Sequence, residues 1–167
     1  SGYLTPALGW GARMSDAQVV DMMVGALTDP FEGIHMGVTA ENIAEKWGIS
    51  REEQDALAVE SHRRAAQAWE NGHFDSQIVP VEVKGRKGSV LFERDEHFRA
   101  DASMEGMAKL RPVFKKDGTV TAANASGIND AASAVVLATA EYAQAKGLKP
   151  LARLVGYSHA GCEPAYM

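Results

Sequence analysis

The sequence has few of the residues that build cross-links, membrane spans or cysteine-based metal centres. Cys162 is the only cysteine among 167 residues, so an internal disulfide and a cysteine-based zinc cluster are both excluded. The longest apolar stretches, such as residues 131–138, are too short to cross a bilayer, and no basic segment followed by an apolar run marks a signal peptide. We therefore expect no membrane partner, and a cytoplasmic or organelle-matrix setting is the default.

An excess of positive charge is also missing. The formal net charge is -5, whereas nucleic-acid binding needs a clustered positive surface. The one basic run is Lys84-Gly85-Arg86-Lys87, and it lies between two short strand-like segments. A phosphate-binding patch is one interpretation, but the flanking glycines favour a solvated hairpin turn. We expect no nucleic-acid partner.

The common catalytic motifs are absent as well. The sequence contains no Gly-x-Ser-x-Gly elbow, no Gly-x-Gly-x-x-Gly, no phosphate loop and no His-Glu-x-x-His. Nothing in the sequence places a base or a helix N-terminus beside Cys162, so we interpret this cysteine as an ordinary small residue. The residues alone indicate no catalytic group and no metal ligand.

Capping signals divide the first part of the chain into helices. A serine or threonine oxygen that accepts from a free backbone N–H predicts a start, and a glycine able to adopt a left-handed conformation predicts an end. The third predicted helix is about five or six turns long. The predicted boundaries are Ser15 with Gln18 up to Thr28-Asp29-Pro30, Thr39 to Gly48, and Ser50 with Glu53 to Gly72.

The pattern then changes to the alternation that is typical of strands. Val79, Val81 and Val83 alternate with polar residues and predict a half-buried strand, followed by the basic turn and a return strand. The last 40 residues read as strand, helix and strand, which indicates an α/β layer. The further predicted elements are a strand at 90–92, a short helix at 103–109, a strand at 120–121, an apolar core element at 131–139, a helix at 140–146 and a strand at 151–157.

Two segments, residues 34–42 and 121–130, are polar, small and glycine-containing. In the second, Asn124, Ser126 and Asn129 supply donors and acceptors, and Gly127 would let a ligand approach the backbone closely. The alternative is a turn followed by a helix cap at Asn129-Asp130. On the residues alone this alternative is favoured.

Four motifs in order resemble a known family over nearly the whole chain. They are similar to motifs of the acetyl-CoA acetyltransferases, the biosynthetic-type thiolases. The motifs are His-Met-Gly-x-Thr-Ala-Glu-Asn from His35, Lys-Gly-Arg-Lys-Gly from Lys84, Lys-Leu-Arg-Pro-x-Phe from Lys109, and Gly-Thr-Val-Thr-Ala-x-Asn-Ala-Ser-Gly-x-Asn-Asp from Gly118.

The resemblance implies an α/β, thiolase-like fold with two similar halves and a long loop domain of helices and a hairpin inserted into the first. Residues 1–128 would be the loop domain, 129–150 the end of the N-terminal half, and 151–167 the start of the C-terminal half. Family members form dimers and often tetramers, so a homo-oligomer is implied. The region near 10–21 resembles the tetramerisation arm.

The family catalyses a reversible Claisen condensation of two acyl-CoA molecules to 3-ketoacyl-CoA and free coenzyme A. Its nucleophilic cysteine lies before the segment matched here, and its histidine and second cysteine lie after it. Because the chain runs from Ser1 to Met167 without them, we expect an internal fragment that is inactive alone. The resemblance implies a coenzyme A thioester as substrate and no permanently bound cofactor.

Position within the matching motifs implies ten residues that contact coenzyme A or the acyl group. Arg99 would offer a guanidinium to the nucleotide end and Ser126 a hydroxyl to the pantetheine amides. A serine often occupies the adenine-side position that aligns with Gly106, so that polar contact is in doubt. A non-catalytic coenzyme A-binding or oligomerisation module is the alternative function. The ten residues are Leu27, His35, Met36, Arg99, Val113, Phe114, Ala122, Ser126, Ile128 and Met167.

Overall fold

The computed structural model describes residues 2–11 and 13–167. Ser1 and Ala12 lie outside the described residues; both belong to the predicted loop domain, and Ala12 also belongs to the predicted arm. The described chain divides into two units. One contains the residues up to Gly127 together with Glu163–Met167, and the other is Ile128–Cys162.

The chain begins with a small antiparallel pair. Strand β1 (Tyr3–Leu4) pairs with β2 (Val20–Asp21), and a 3₁₀ turn, Pro6–Trp10, lies between them. Helix α1 (Met22–Ala26) follows β2 directly. The predicted helix start at Ser15 is wrong because Val20–Asp21 is extended, and the Asp21 carboxylate caps the helix by accepting from two backbone N–H groups.

Two longer helices follow, α2 (Met36–Trp47) and α3 (Arg51–Glu70). The N-cap of helix α2 is His35, one turn before the predicted cap Thr39. The Thr39 hydroxyl instead donates to the Met36 carbonyl inside the first turn, at 2.6 Å.

The other predicted boundaries of these helices are confirmed. Gly48 ends α2 with a φ of 64°, a conformation that favours glycine. The capping box of Ser50 and Glu53 starts α3, and Gly72, with a φ of 70°, follows its end. Helix α3 has 20 residues, or about five and a half turns.

A β-hairpin follows α3. Strand β3 (Val81–Gly85) pairs with β4 (Gly88–Phe92), with Val83 opposite Val90. The predicted hairpin turn is therefore confirmed at Arg86 and Lys87. The expectation of a half-buried strand is wrong for this chain, because every residue of β3 and β4 is exposed. The short helix predicted at 103–109 is confirmed as α4 (Met104–Ala108), which Ser103 caps.

The core of the first unit is small and partly polar. The predicted strand at Val120–Thr121 does not form, although both residues are buried. The Val120 carbonyl instead accepts from the Val113 N–H at 2.9 Å. The buried residues of this unit are Asp29, Thr39, Glu41, Ala44, Asp55, Ala66, Met107, Val120 and Thr121.

The second unit contains helix α5 (Ala140–Ala145), which Thr139 caps and which ends before Gly147, with a φ of 64°. The predicted core element at 131–139 and the predicted strand at 151–157 are wrong, because both segments are exposed and lie outside any helix or strand. A strand forms only where a neighbour accepts and donates its backbone hydrogen bonds, and no neighbour pairs with them in the described chain. Among all the residues that the structure describes, no helix is both long enough and apolar enough to cross a bilayer.

Candidate functional site

A buried carboxylate fixes the start of the glycine-containing segment 118–127. Glu41 of α2 is 4% exposed. Its two oxygens accept from the backbone N–H groups of Thr119 and Val120 and from the Thr119 hydroxyl, at 2.8 to 3.0 Å. A Cβ at position 118 would overlap the Glu41 carboxylate, so glycine is required there for this contact.

The electrostatics of Glu41 follow from these contacts. Burial alone raises the pKa of its carboxyl, but the N–H groups of Thr119 and Val120, the Thr119 hydroxyl and the Lys115 ammonium together hold the pKa below its ordinary value. Glu41 is therefore a permanently charged anchor at neutral pH.

A second polar network joins the same segment to α3 and α4. Asp55 is 2% exposed and accepts from the Arg51 guanidinium at 2.7 Å and from the Asn124 amide at 2.9 Å. Arg51 also donates to the carbonyl of Met107 at 2.6 Å, and the Asn124 side-chain oxygen accepts from the Thr121 N–H at 2.7 Å. Segment 118–127 is thus tied to α3 directly, and to α4 through Arg51, by part-buried hydrogen bonds that fix its geometry.

Segment 118–127, which these hydrogen bonds hold in place, lines part of an open cavity of about 560 Å³. One wall consists of small residues, Ala122, Ala123 and Ala125, so the backbone of that segment is accessible to a ligand. Most of the other lining residues are polar or charged. The remaining lining residues are His62 of α3, Glu96, His97, Arg99, Asp101 and Ala102 of the loop after β4, and Ser103, Gly106, Met107 and Leu110 of α4 and its flanks.

Two histidines shape the charged side of the cavity. The backbone N–H of Arg99 donates to Nδ1 of His62 at 3.1 Å. The ring of His97 lies 6.2 Å from that of His62, centroid to centroid. A Cβ at Gly127 would overlap the ring of His97, so the predicted close approach to the Gly127 backbone does occur, but by a side chain of the protein.

A separate cluster forms where α2 begins. The rings of His35 and Phe114 stack with centroids 4.8 Å apart, and Phe114 lies against Gly37, where a Cβ would overlap its ring. Nδ1 of His35 accepts from the Gly37 N–H at 3.0 Å. The Met36 N–H donates to the Leu27 carbonyl at 2.8 Å, so Leu27, His35, Met36 and Phe114 are held together.

The structure therefore divides the ten predicted residues. Arg99 and Ala122 line the cavity, and four others form the cluster at the start of α2. Val113 and Ser126 are exposed beside Phe114 and Ala125 in the chain. Met167 is 61% exposed and follows a 3₁₀ turn, Pro164–Tyr166, whose Ala165 carbonyl accepts from Asn42 of α2.

Ile128 belongs to the second unit and is 69% exposed there. His62 and His97 were not among the predicted site residues. Neither histidine belongs to a recognisable sequence motif. The one available signal was position: His62 lies on a helix face, and His97 lies in the loop that carries Arg99.

The comparison with known families decides the assignment. The family model described as thiolase, N-terminal domain, matches residues 2–141. The chain belongs to the thiolase family. Its α/β fold class follows, because solved thiolases superpose on it with TM-scores near 0.8, and the predicted family is confirmed.

Three relatives illustrate the similarity. The chain is 63% identical to the beta-ketothiolase BktB of Cupriavidus necator over 99% of this chain and 42% of that protein. It is similar to the acetyl-CoA acetyltransferase of Bacillus anthracis, with 49% identity, a TM-score of 0.81, and coverage of 99% and 42%. A structure of human mitochondrial 3-ketoacyl-CoA thiolase in complex with CoA has 41% identity, a TM-score of 0.79, and coverage of 98% and 41%. This thiolase chain thus spans about 42% of the length of such relatives.

Proposed function

We propose that the chain is the coenzyme A-binding part of an acetyl-CoA acetyltransferase. The proposed reaction is the reversible condensation of two acyl-CoA molecules to 3-ketoacyl-CoA and coenzyme A. The observation that supports it is a cavity lined by Arg99 and by three alanines of segment 118–127, in a chain 63% identical to a beta-ketothiolase.

The cavity chemistry matches a long, narrow ligand with an anionic end. The guanidinium of Arg99 can bind phosphate oxygens through paired N–H groups. The small alanine side chains let a slender chain reach the backbone groups of the wall. They also form little steric barrier to branched ligands, so we expect the cavity to select ligands by length and not by width. We assign coenzyme A thioesters as substrates, with no permanently bound cofactor.

The cluster of Leu27, His35, Met36 and Phe114 is proposed to meet the acyl end. Its rings and thioether form an apolar surface of adaptable shape, and Gly37 leaves room for the stacked Phe114. Val113, Ser126, Ile128 and Met167 stay assigned to the same ligand as predictions. We propose that the cysteine and histidine that carry the chemistry lie outside this chain, so the isolated chain would be inactive.

The N-terminal arm is proposed to join subunits of a homo-oligomer. The β1–β2 pair brings its two ends together, while the tip exposes Trp10, with 97% of its surface accessible, and Met14. Large apolar side chains so exposed are typical of an interface. The division into 1–128, 129–150 and 151–167 also stays a proposal.

Coenzyme A affinity of an Arg99→Ala variant tests the main proposal. The variant is made in the complete protein, meaning this chain with the further segments that its relatives have. We expect calorimetry to give a Kd about tenfold higher than that of the unchanged protein, because a charge-assisted contact to phosphate is lost.

Arg64→Ala is the matched control. Arg64 lies on the exposed face of α3 and pairs only with Glu60 among the ion pairs of the described residues, so its loss should leave the Kd unchanged. Equal affinities of the Arg99 variant and the unchanged protein would show that the cavity is not the coenzyme A site. Saturable binding by the isolated 167-residue chain, without any acyltransferase activity of the complete protein, would favour the alternative of a binding module.

A further inference from the structure

The backbone of Arg99 is held by a side chain from a distant part of the sequence. The Arg99 N–H donates to Nδ1 of His62, 37 residues earlier in the middle of α3, with N to N of 3.1 Å. His62 is half-buried and lines the same cavity as Arg99. The hydrogen bond therefore connects a rigid helix to the loop that carries the cationic side chain.

Other contacts also hold this loop: the Arg99 carbonyl accepts from the Ala102 N–H at 3.2 Å, and ring contacts pack the residues before Arg99. Phe98 stacks against Trp69 of α3, with centroids 6.3 Å apart. The Arg94 guanidinium lies over both rings, 5.8 Å and 5.7 Å from their centroids. Ring contacts tolerate a wide range of interplanar angles. A hydrogen bond from the Arg99 N–H is directional, so it restricts the direction in which the Arg99 side chain leaves the loop.

We propose that His62 is a positioning residue for ligand binding, which directs the Arg99 guanidinium into the cavity by accepting the Arg99 backbone N–H. This inference rests on the proposed function, because it takes the anionic end of coenzyme A as the group that Arg99 binds. His62 itself need not touch the ligand.

The proposal makes binding depend on the protonation state of His62. A neutral imidazole has one acceptor nitrogen, whereas an imidazolium donates from both nitrogens and cannot accept the Arg99 N–H. The ionisable groups facing His62 across the cavity are Glu96, His97, Arg99 and Asp101 of the loop, while α4 and segment 122–125 contribute none to the lining. Protonation of His62 should therefore release Arg99 and weaken binding.

Two substitutions at this position separate positioning from packing. In His62→Asn the amide oxygen lies close to the position of Nδ1 and can accept the same N–H, whereas His62→Leu keeps bulk and removes the acceptor. In the complete protein we expect His62→Leu to raise the Kd for coenzyme A about fivefold, and His62→Asn to stay within about twofold of the unchanged protein. The loss should appear in KM for acyl-CoA more than in kcat.

Acidification provides the second measurement. On acidification, the affinity of the unchanged protein should fall more than that of His62→Asn, because a protonated imidazole can no longer accept the Arg99 N–H, whereas the amide oxygen still can. Equal affinities of the Leu and Asn variants, or identical pH profiles of His62→Asn and the unchanged protein, would overturn the proposal.

Amide hydrogen exchange separates failure of this inference from failure of the proposed function. The Arg99 amide should exchange faster in His62→Leu than in His62→Asn, with or without ligand. If exchange behaves in this way but neither His62→Leu nor Arg99→Ala weakens coenzyme A binding, the proposed ligand is wrong. If Arg99→Ala weakens binding and exchange at Arg99 is unaffected in His62→Leu, the positioning role is wrong.

Discussion

Glu41, Asp55 and Asn124 organise the site although none of them lines the cavity. Each uses its polar atoms on the backbone or side chains of segment 118–127, α3 or α4. Among the described residues, every fully buried side-chain nitrogen and oxygen has a hydrogen-bond partner. Removing one partner therefore leaves others unsatisfied in a water-poor environment, which is costly.

Glu41→Gln tests the central anchor. The amide presents one oxygen where the carboxylate presents two, so at least one N–H or hydroxyl donor loses its acceptor. At neutral pH we expect the free energy of unfolding to fall by about 2–3 kcal/mol. Urea unfolding of the complete protein, followed by fluorescence of Trp47 and Trp69 in α2 and α3, measures it.

The difference in unfolding free energy between the unchanged protein and Glu41→Gln should change with pH in a direction set by the pKa of Glu41. The folded-state pKa of Glu41 is lower than its ordinary value of 4.5, so the carboxylate stabilises the folded state above pH 4.5. That contribution is lost as the pH falls from there through the lowered folded-state pKa. The gap between the unchanged protein and Glu41→Gln should therefore narrow on acidification below 4.5. Glu45→Gln is the control, because Glu45 is exposed and lies one turn later in α2. We expect this variant to lower the free energy of unfolding by under about 1 kcal/mol. A stability difference between the unchanged protein and Glu41→Gln that widens in acid would contradict the assignment.

At the residue scale, the sequence predicted residues that would contact a ligand, but it did not predict which other residues lie beside them. Arg99 and Ala122 were predicted from their motifs and line one cavity. His62 was not predicted, because its role depends on a contact over 37 residues of sequence. Periodicity places it on a helix face and says nothing about which loop that face meets.

At the scale of elements, local capping chemistry was the reliable guide. Three kinds of feature follow from residues adjacent in the chain. They are the capping box of α3, the left-handed glycines after α2, α3 and α5, and the hairpin turn at Arg86-Lys87. The start of α1 was wrong because the pairing of β2 with β1 is not visible locally. The strands expected at 120–121, 131–139 and 151–157 need partners from elsewhere, which a local pattern cannot supply.

Ser50→Ala tests the contribution of the capping box to α3. The Ser50 hydroxyl accepts from the Glu53 N–H at 3.1 Å, and the Glu53 carboxylate accepts from the Ser50 N–H at 2.8 Å. Loss of the hydroxyl should lower the free energy of unfolding by about 1 kcal/mol. Thermal and urea unfolding of the complete protein would measure this difference.

Ser61→Ala is the control for that substitution, because Ser61 is exposed in the middle of the same helix. Alanine has the higher helix propensity, so this variant should be unchanged or stabilised by about 0.5 kcal/mol. If both substitutions had the same effect, the capping box would contribute nothing beyond helix propensity.

At the scale of the whole molecule, the exposed surface is far larger than its mass predicts. The accessible area is 14374 Å², whereas a compact monomer of 17.9 kDa exposes about 8000 Å². Part of this surface is apolar, as the exposed valine, leucine and phenylalanine side chains of β3 and β4 illustrate. Burial of such area requires further protein, which agrees with a chain that spans 42% of its relatives.

Limited proteolysis of the isolated chain tests this view. Residues 128–162 contain one short helix, and Val136, Leu151 and Val155 are each more than nine-tenths exposed. With so few buried contacts this unit should open readily. We expect a nonspecific protease to cleave within 128–162 first, while α2 and α3, held by the Glu41 and Asp55 networks, persist as a larger fragment. If further segments of the complete protein cover these apolar residues, as we propose, the complete protein should resist cleavage throughout this region. Equal resistance of 128–162 and α3 in the isolated chain, with no binding of a hydrophobic dye, would show that the chain folds independently and would favour the binding-module alternative.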